Sequence, residues 1–159
     1  TPAGWTPIVN TLNTGRGARV FAYYRVVGAS DPGTYSWTLS TTAKWGGGVT
    51  AYKGVNNTTP LDSSVVTAVN TTYLASSIAG PSVTTASNNA MLIGGVGFDS
   101  STPGASAPTG WTERWESADG QIAEQADRVQ ATAGASGTAT WTFNTAKAVA
   151  VWRTALKPA

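Results

Sequence analysis

The sequence predicts an all-β fold, a jelly-roll-like sandwich of two antiparallel sheets built from a duplicated half. Three observations lead to this prediction. Helical periodicity is nearly absent, and apolar residues alternate with polar ones along many short segments. Eighteen Gly and eight Pro residues supply turn signals between those segments. Four short blocks near the start of the chain return later in the same order and at nearly constant spacing.

The first predicted strands lie at 18–27, 34–40 and 47–55. Along 18–27, one alternating set faces the core (Val20, Ala22, Tyr24, Val26) and the other faces outward (Arg19, Phe21, Tyr23, Arg25). In the segment TYSWTLS at 34–40, aromatic and aliphatic residues alternate with Thr and Ser, which is typical of a half-buried strand.

The rest of the chain predicts strands at 64–70, 82–86, 90–98, 110–117, 122–130, 138–144 and 147–157, with a loop at 99–108. The segment AMLIGGVGF at 90–98 is apolar on both faces, which predicts a central strand. The total of about nine to eleven short strands is typical of a sandwich or a barrel.

Composition favours one domain over residues 1–159. Hydrophobic residues make up 41% of the chain and charged residues only 11%, a balance that allows a real core and argues against disorder. There is no run of Lys or Arg, so a nucleic-acid partner is not predicted. The longest apolar run is 90–98, which is too short and too rich in Gly to span a bilayer.

The repeated blocks predict two half-repeats, at about 1–58 and 82–159, related by a pseudo-two-fold axis. The pairs are PAGWT at 2–6 with PTGWT at 108–112, YRV at 24–26 with DRV at 127–129, GTYSWTL at 33–39 with GTATWTF at 137–143 and, more weakly, VTAYKG at 49–54 with WRTALKP at 152–158.

Two predicted strands precede the second PTGWT, whereas none precedes the first. The leading strands of the first half therefore lie upstream in a longer protein, come from a neighbouring chain by strand donation, or are not needed for closure. A missing pair of strands would leave an open sheet edge, which invites pairing with another chain.

These blocks resemble a β-sandwich module found in large secreted bacterial surface proteins and in phage tail or virion proteins. The resemblance rests on PAGWT, AYKGV, PTGWTERW and the terminal ALKPA, and it covers essentially the whole chain. It implies a non-catalytic, extracellular or virion-surface role in structure or adhesion. It carries over no catalytic residue.

The chain contains no Cys and no His, which excludes disulfides, thiolate nucleophiles, Cys/His zinc sites and His-based triads. Carboxylates are concentrated at Glu113, Glu116, Asp119, Glu124 and Asp127. A glycoside hydrolase needs two of them across the scissile bond, but turns and strand ends are where acids are commonly solvated. We therefore expect no enzymatic activity, with a carboxylate-dependent glycan hydrolase as the weaker alternative.

Isolated aspartates in predicted loops are more typical of turns than of metal sites; they are Asp31, Asp62, Asp99 and Asp119. Calcium needs several oxygen ligands at once, and no D-x-D-x-D-G pattern is present. We predict no cofactor and no metal ligand, and a structural calcium ion is an alternative that no motif supports.

The repeated Trp residues are expected in the core; they are Trp5, Trp37, Trp111 and Trp141. The candidates for a ligand or interface are Arg19, Phe21, Tyr23, Arg25, Trp45, Trp115 and Trp152. An Arg/aromatic strand face is typical of protein interfaces, and exposed rings can also stack on sugars. The favoured function is therefore a structural or adhesive module that binds other chains of an assembly, and the alternative is a module that binds cell-surface glycan.

Overall fold

A computed structural model describes residues 1–159 and confirms the all-β prediction. Its twelve strands are β1 (Thr6–Asn13), β2 (Arg19–Tyr24), β3 (Val66–Asn70), β4 (Ser77–Gly80), β5 (Thr84–Thr85), β6 (Ala90–Phe98), β7 (Ala105–Ser106), β8 (Thr112–Ala118), β9 (Ile122–Gln130), β10 (Gly134–Ala135), β11 (Ala139–Phe143) and β12 (Val149–Leu156). No helix is long and apolar enough to cross a bilayer.

The largest sheet has five antiparallel strands in the order β3-β12-β6-β9-β8. Strand β6 lies in the middle, as its apolar sequence predicts, and every residue of it except Met91 is buried. Glycine is required within this strand because a Cβ on Gly95 would overlap the backbone oxygen of Glu124 on the adjacent strand. The central strand is therefore packed tightly on both faces.

A second sheet, in the order β4-β11-β7, packs on one face of the large sheet. Between them lies a cluster that includes Trp141 and Phe143 of β11 with Val96 and Phe98 of β6. The rings of Phe98 and Phe143 meet edge to face with centroids 4.9 Å apart. Two sheets enclosing one apolar core form a β-sandwich, whereas the jelly-roll strand order stays a prediction.

Arg153 of β12 points into this core and holds two loops together. Its guanidinium donates to the carbonyls of Gly80 (3.1 Å), Pro81 (2.6 Å) and Gly137 (2.9 Å) and to the hydroxyl of Ser136 (3.0 Å). Burial lowers its pKa to about 10, so it stays charged at neutral pH. A buried cation is tolerated here because loop carbonyls accept its hydrogen bonds.

The β1–β2 hairpin covers part of the other face of the large sheet. Val9 and Ala22 of the hairpin pack against Ile93, Trp152 and Leu156. The large sheet is therefore covered on both sides, and Trp152 is only 8% exposed.

The predicted strands at 34–40 and 47–55 are wrong. Between β2 and β3 the chain forms no strand, and its only sheet-like pairings are isolated bridges of Val55 with Pro158 and of Leu61 with Leu156. Alternation favours an extended chain, but a strand also needs a neighbour to hydrogen-bond with, and none lies beside 34–40. Strands β1 and β4, whose sequences lack clear alternation, were not predicted, and neither were the two-residue strands β10 and β7, the second of which lies in the predicted 99–108 loop.

Hairpins β1–β2 and β8–β9 begin with the same turn. In both, a Gly adopts a left-handed conformation, with φ of 78° at Gly4 and 77° at Gly110. In both, the amide of the following Trp donates to the carbonyl of the Pro two residues before the Gly, at 3.2 and 2.9 Å. The repeated motif therefore forms one turn structure twice.

The two hairpins also share their register over their first three paired positions, including a bulge at the same repeat position, whereas β1–β2 has a second register shift between Val9 and Leu12 that β8–β9 lacks. The paired positions are Thr6–Tyr24, Pro7–Tyr23 and Val9–Ala22 in the first, and Thr112–Asp127, Glu113–Ala126 and Trp115–Gln125 in the second. Matching bulges are significant because a bulge fixes which residues face each side of a strand. The repeated blocks form matching hairpins, whereas duplication of the whole half stays a prediction.

Candidate interface

The predicted interface residues lie in three different settings. Phe21 and Trp45 are 51% and 59% exposed, Arg19 is exposed on the same strand as Phe21, and Tyr23 and Arg25 are half-buried. Trp152 is buried, so the expectation of an exposed ring is wrong there, because the hairpin covers its side of β12. Trp115 is half-buried, and its indole N–H donates to the hydroxyl of Thr50 at 3.0 Å.

Trp115 belongs to a polar network that holds segment 50–52 on the large sheet. Asp127 is its centre and is almost fully buried. Arg114 donates to both carboxylate oxygens, at 2.6 and 2.8 Å, and the hydroxyl of Tyr52 donates at 2.8 Å. Burial and the Asp127 carboxylate raise the pKa of Tyr52. The polar groups of the network are paired with one another, so the network holds segment 50–52 against the sheet. Tyr52 was not among the residues predicted from the sequence.

The carboxylates considered for hydrolysis also serve the fold. Glu124 is 2% exposed, and the Trp141 indole donates to one of its oxygens while the other has no partner. Burial raises the pKa of Glu124 to about 8, against the Trp141 hydrogen bond, and the charges of Glu113 and Glu116 add to the increase. Glu116, directly across from Glu124, accepts the amides of residues 104 and 105 at 2.9 and 2.8 Å.

The structure has two surface cavities. One, of about 90 Å³, is lined by residues 52–55, 89, 91 and 156–158. The other, of about 260 Å³, is lined by residues 98, 100, 102–104, 143–145 and 147. Neither lining contains a carboxylate. No group of three or more acidic side chains could hold a metal ion. Asp62 accepts the amides of Ala86 and Ser87, at 2.8 and 3.0 Å, so it links two segments 24 and 25 residues apart and does not stabilise a turn of its own.

Exposed large apolar side chains are concentrated in one stretch, which we call the N-terminal apolar region. Seven of the twelve such residues in the chain lie there, and only Val129 lies after residue 90. They are Phe21, Val26, Val27, Trp37, Leu39, Trp45 and Val49. This concentration of exposed apolar side chains along the sequence is the composition expected of a surface that a partner covers.

Within this region, Trp37 packs against Trp5 at a centroid distance of 5.6 Å. The corresponding rings of the second half, Trp111 and Trp141, also lie 5.6 Å apart. Their burial differs, because Trp141 is completely buried and Trp37 is 40% exposed. The core prediction for the repeated Trp residues is therefore confirmed for Trp141 and wrong for Trp37, which has no second sheet above it. Trp5 and Trp111 are half-buried, and Trp111 packs against the core cluster that contains Trp141.

Strand β2 pairs only with β1, so its other edge is free within this chain. Along β2 the rings of Phe21 and Tyr23 are nearly parallel, at 10°, with centroids 6.5 Å apart. Arg25 lies just beyond, paired with Asp31 at 2.7 Å. The amide of Gly28, followed by contacts with Tyr35 and Arg25, lowers the pKa of Asp31. The free edge of β2 is therefore followed by a turn that the Arg25–Asp31 ion pair holds in place.

Comparisons with protein-family models, curated proteins and solved structures find no match for this chain.

Proposed function

We propose that the chain is a non-enzymatic structural or adhesive module whose N-terminal apolar region is covered by a neighbouring chain of an assembly. The observation that carries this proposal is the concentration of exposed apolar side chains between Phe21 and Val49. Aromatic and Arg side chains on and beside β2 add the composition that interfaces favour. A sandwich core that closes independently leaves this region free to associate.

The sequence resemblance to modules of secreted bacterial surface proteins and phage tail or virion proteins supports an extracellular or virion-surface setting. It also supports a jelly-roll-like order for the sandwich. The non-enzymatic part of the proposal is supported by the placement of Glu124 and Asp127, which are enclosed and bonded to structural partners.

Static light scattering of the purified chain tests the proposal, because the second virial coefficient reports weak attraction between molecules. We expect net attraction, which the triple substitution Phe21→Ser, Trp37→Ser and Trp45→Ser converts to repulsion. Leu74→Ser is the matched control, because Leu74 is exposed but lies outside the region. Equal second virial coefficients for the wild type and the triple variant would contradict an apolar region that attracts other molecules.

A carbohydrate-binding module is the second candidate, favoured by the exposed Trp45 ring and the nearly parallel rings of Phe21 and Tyr23. Such rings can stack on the apolar faces of sugars. A glycan array with the wild type and Trp45→Ala separates the two functions. Binding that is lost on Trp45→Ala would favour glycan recognition over assembly, and an array without binding would remove this candidate.

A further inference from the structure

The matched hairpins give each residue of β2 a counterpart on β9. The register that the hairpins share at Tyr24, Tyr23 and Ala22, continued along β2, makes Phe21 equivalent to Glu124 in the repeat and Tyr23 equivalent to Ala126. Glu124 and Ala126 face the sandwich core and are buried. The Phe21/Tyr23 face of β2, in which Phe21 is exposed and Tyr23 is half-buried, is therefore the counterpart of a core face.

The free edge of β2 is likewise the counterpart of an occupied edge. Strand β9 pairs along its whole length with β6, in antiparallel orientation. In that ladder Val96 lies across from Glu124, and Gly94 lies across from Ala126. No strand of the chain takes the place of β6 beside β2.

The segment at 33–39 shows the same incompleteness. Its counterpart at 137–143 contains β11, which is held as a strand between β4 and β7. Segment 33–39 carries the same alternating pattern but has no strand beside it, and its Trp37 stays partly exposed. Its failure to form the predicted strand follows from a missing neighbour rather than from its own sequence.

We propose that β2 accepts an antiparallel strand donated by a partner chain, in the position that β6 holds beside β9. This inference rests on the proposed assembly function and names the contact. By analogy with β6, the donated strand is apolar, with a small residue across from Tyr23 and a branched apolar residue across from Phe21. Backbone pairing supplies the affinity, and the side-chain pattern supplies the specificity.

Charge defines one end of the donated strand. Phe98, at the end of β6, pairs with Ile122, the counterpart of Arg19, and the residue that follows β6 is Asp99. Arg19 is exposed and has no ion-pair partner in the chain. The donated strand therefore carries an acidic residue just beyond its last apolar position.

The probe for this site is a synthetic peptide with the sequence of residues 88–100, which reproduces β6 with its flanking Asp99. Amide hydrogen exchange of the folded chain is measured with and without the peptide. We expect new protection at residues 19–24, with no change along β9 and β12. Unchanged exchange at 19–24 would overturn the proposal, as would protection lost along β9, because the peptide would then be replacing β6 itself.

Two variants make the test specific. Phe21→Asp is expected to weaken peptide binding about tenfold or more, because it places a charge in the newly covered face. Leu74→Asp, an equally drastic change on another exposed apolar residue, is expected to leave binding unchanged. Equal binding by both variants would overturn the proposed location.

A charge swap covers the case in which Phe21→Asp unfolds. Arg19→Glu is expected to weaken the binding of the peptide, and a peptide with Asp99→Lys is expected to restore it. A lack of restoration would overturn the assigned register.

Two outcomes separate this inference from the assembly function. Protection of 19–24 that grows with protein concentration without peptide would assign the edge to a second copy, which contradicts a donated strand. If light scattering shows attraction but the peptide gives no protection, strand donation fails and the assembly function stands. If neither is seen, both fail.

Discussion

The substitution Glu124→Gln tests the account of the core through its pH dependence. Glu124 is enclosed between the sheets, and its pKa is raised to about 8 from an ordinary value of 4.5. The folded chain therefore binds this proton more tightly than the unfolded chain does. Stability is greatest below the unfolded pKa and falls as the pH rises toward the folded pKa, after which it is constant.

The expected loss follows from the pKa and the value of about 1.4 kcal/mol per pH unit. Between about pH 5.5 and about pH 9, the free energy of unfolding should fall by about 3 kcal/mol. That is a large part of the stability of an ordinary domain, which is about 5 to 15 kcal/mol. The chain has no His and no Cys, which are the side chains whose ordinary pKa values lie in this window.

Urea unfolding followed by Trp fluorescence measures this free energy at both pH values. Glu124→Gln stays neutral, so its stability should be nearly constant over the same range. Glu113→Gln, which removes an exposed acid on the adjacent strand β8, should keep most of the wild-type slope. A wild-type stability that does not change with pH, or a slope that survives in Glu124→Gln, would refute the buried-acid account.

Three further substitutions test the packing. Trp111→Ala should lower the free energy of unfolding in urea by about 3 kcal/mol, because the Trp111 ring packs on the buried Trp141. Trp5→Ala should lower it by only about 1 kcal/mol, and equal losses would contradict the difference in packing between the two halves. Gly95→Ala should lower the free energy of unfolding by about 2 kcal/mol or more, because the added Cβ would overlap a backbone oxygen of β9. An unchanged melting temperature would be inconsistent with that contact. Arg153→Met should lower the free energy of unfolding by about 3 kcal/mol, because three backbone carbonyls lose their donor. An unchanged melting temperature would show that the segments around residues 80 and 137 do not depend on it.

Sequence patterns predicted strands correctly where the chain supplies their neighbours. Residues 90–98 and 122–130 were predicted with the observed bounds, and the strand predicted at 138–144 differs by one residue at each end. Segment 34–40 has the same alternation as β11 but no neighbour, and it forms no strand. Alternation reports which faces a strand would present, whereas pairing depends on distant segments that a local pattern does not contain.

Burial on the outer face of the large sheet was less predictable. Trp152 has no aromatic counterpart in the other half-repeat, and it was therefore predicted to be exposed. In the structure the β1–β2 hairpin packs over it. Arg153 follows it within an apolar run, and only the three-dimensional fold shows the loop carbonyls that accept its hydrogen bonds. Conversely, the outward assignment of Phe21 is confirmed for this chain, while its counterpart Glu124 is in the core.

The most direct test of an incomplete N-terminal sheet is amide hydrogen exchange on the isolated chain, residue by residue, comparing the matched segments. The account predicts strong protection in β9 and β11 and weak protection at the corresponding residues 19–25 and 33–39, because only the former lie between paired strands. Equal, strong protection of both sets at low protein concentration would contradict it, because the N-terminal segments would then complete a sheet without a partner.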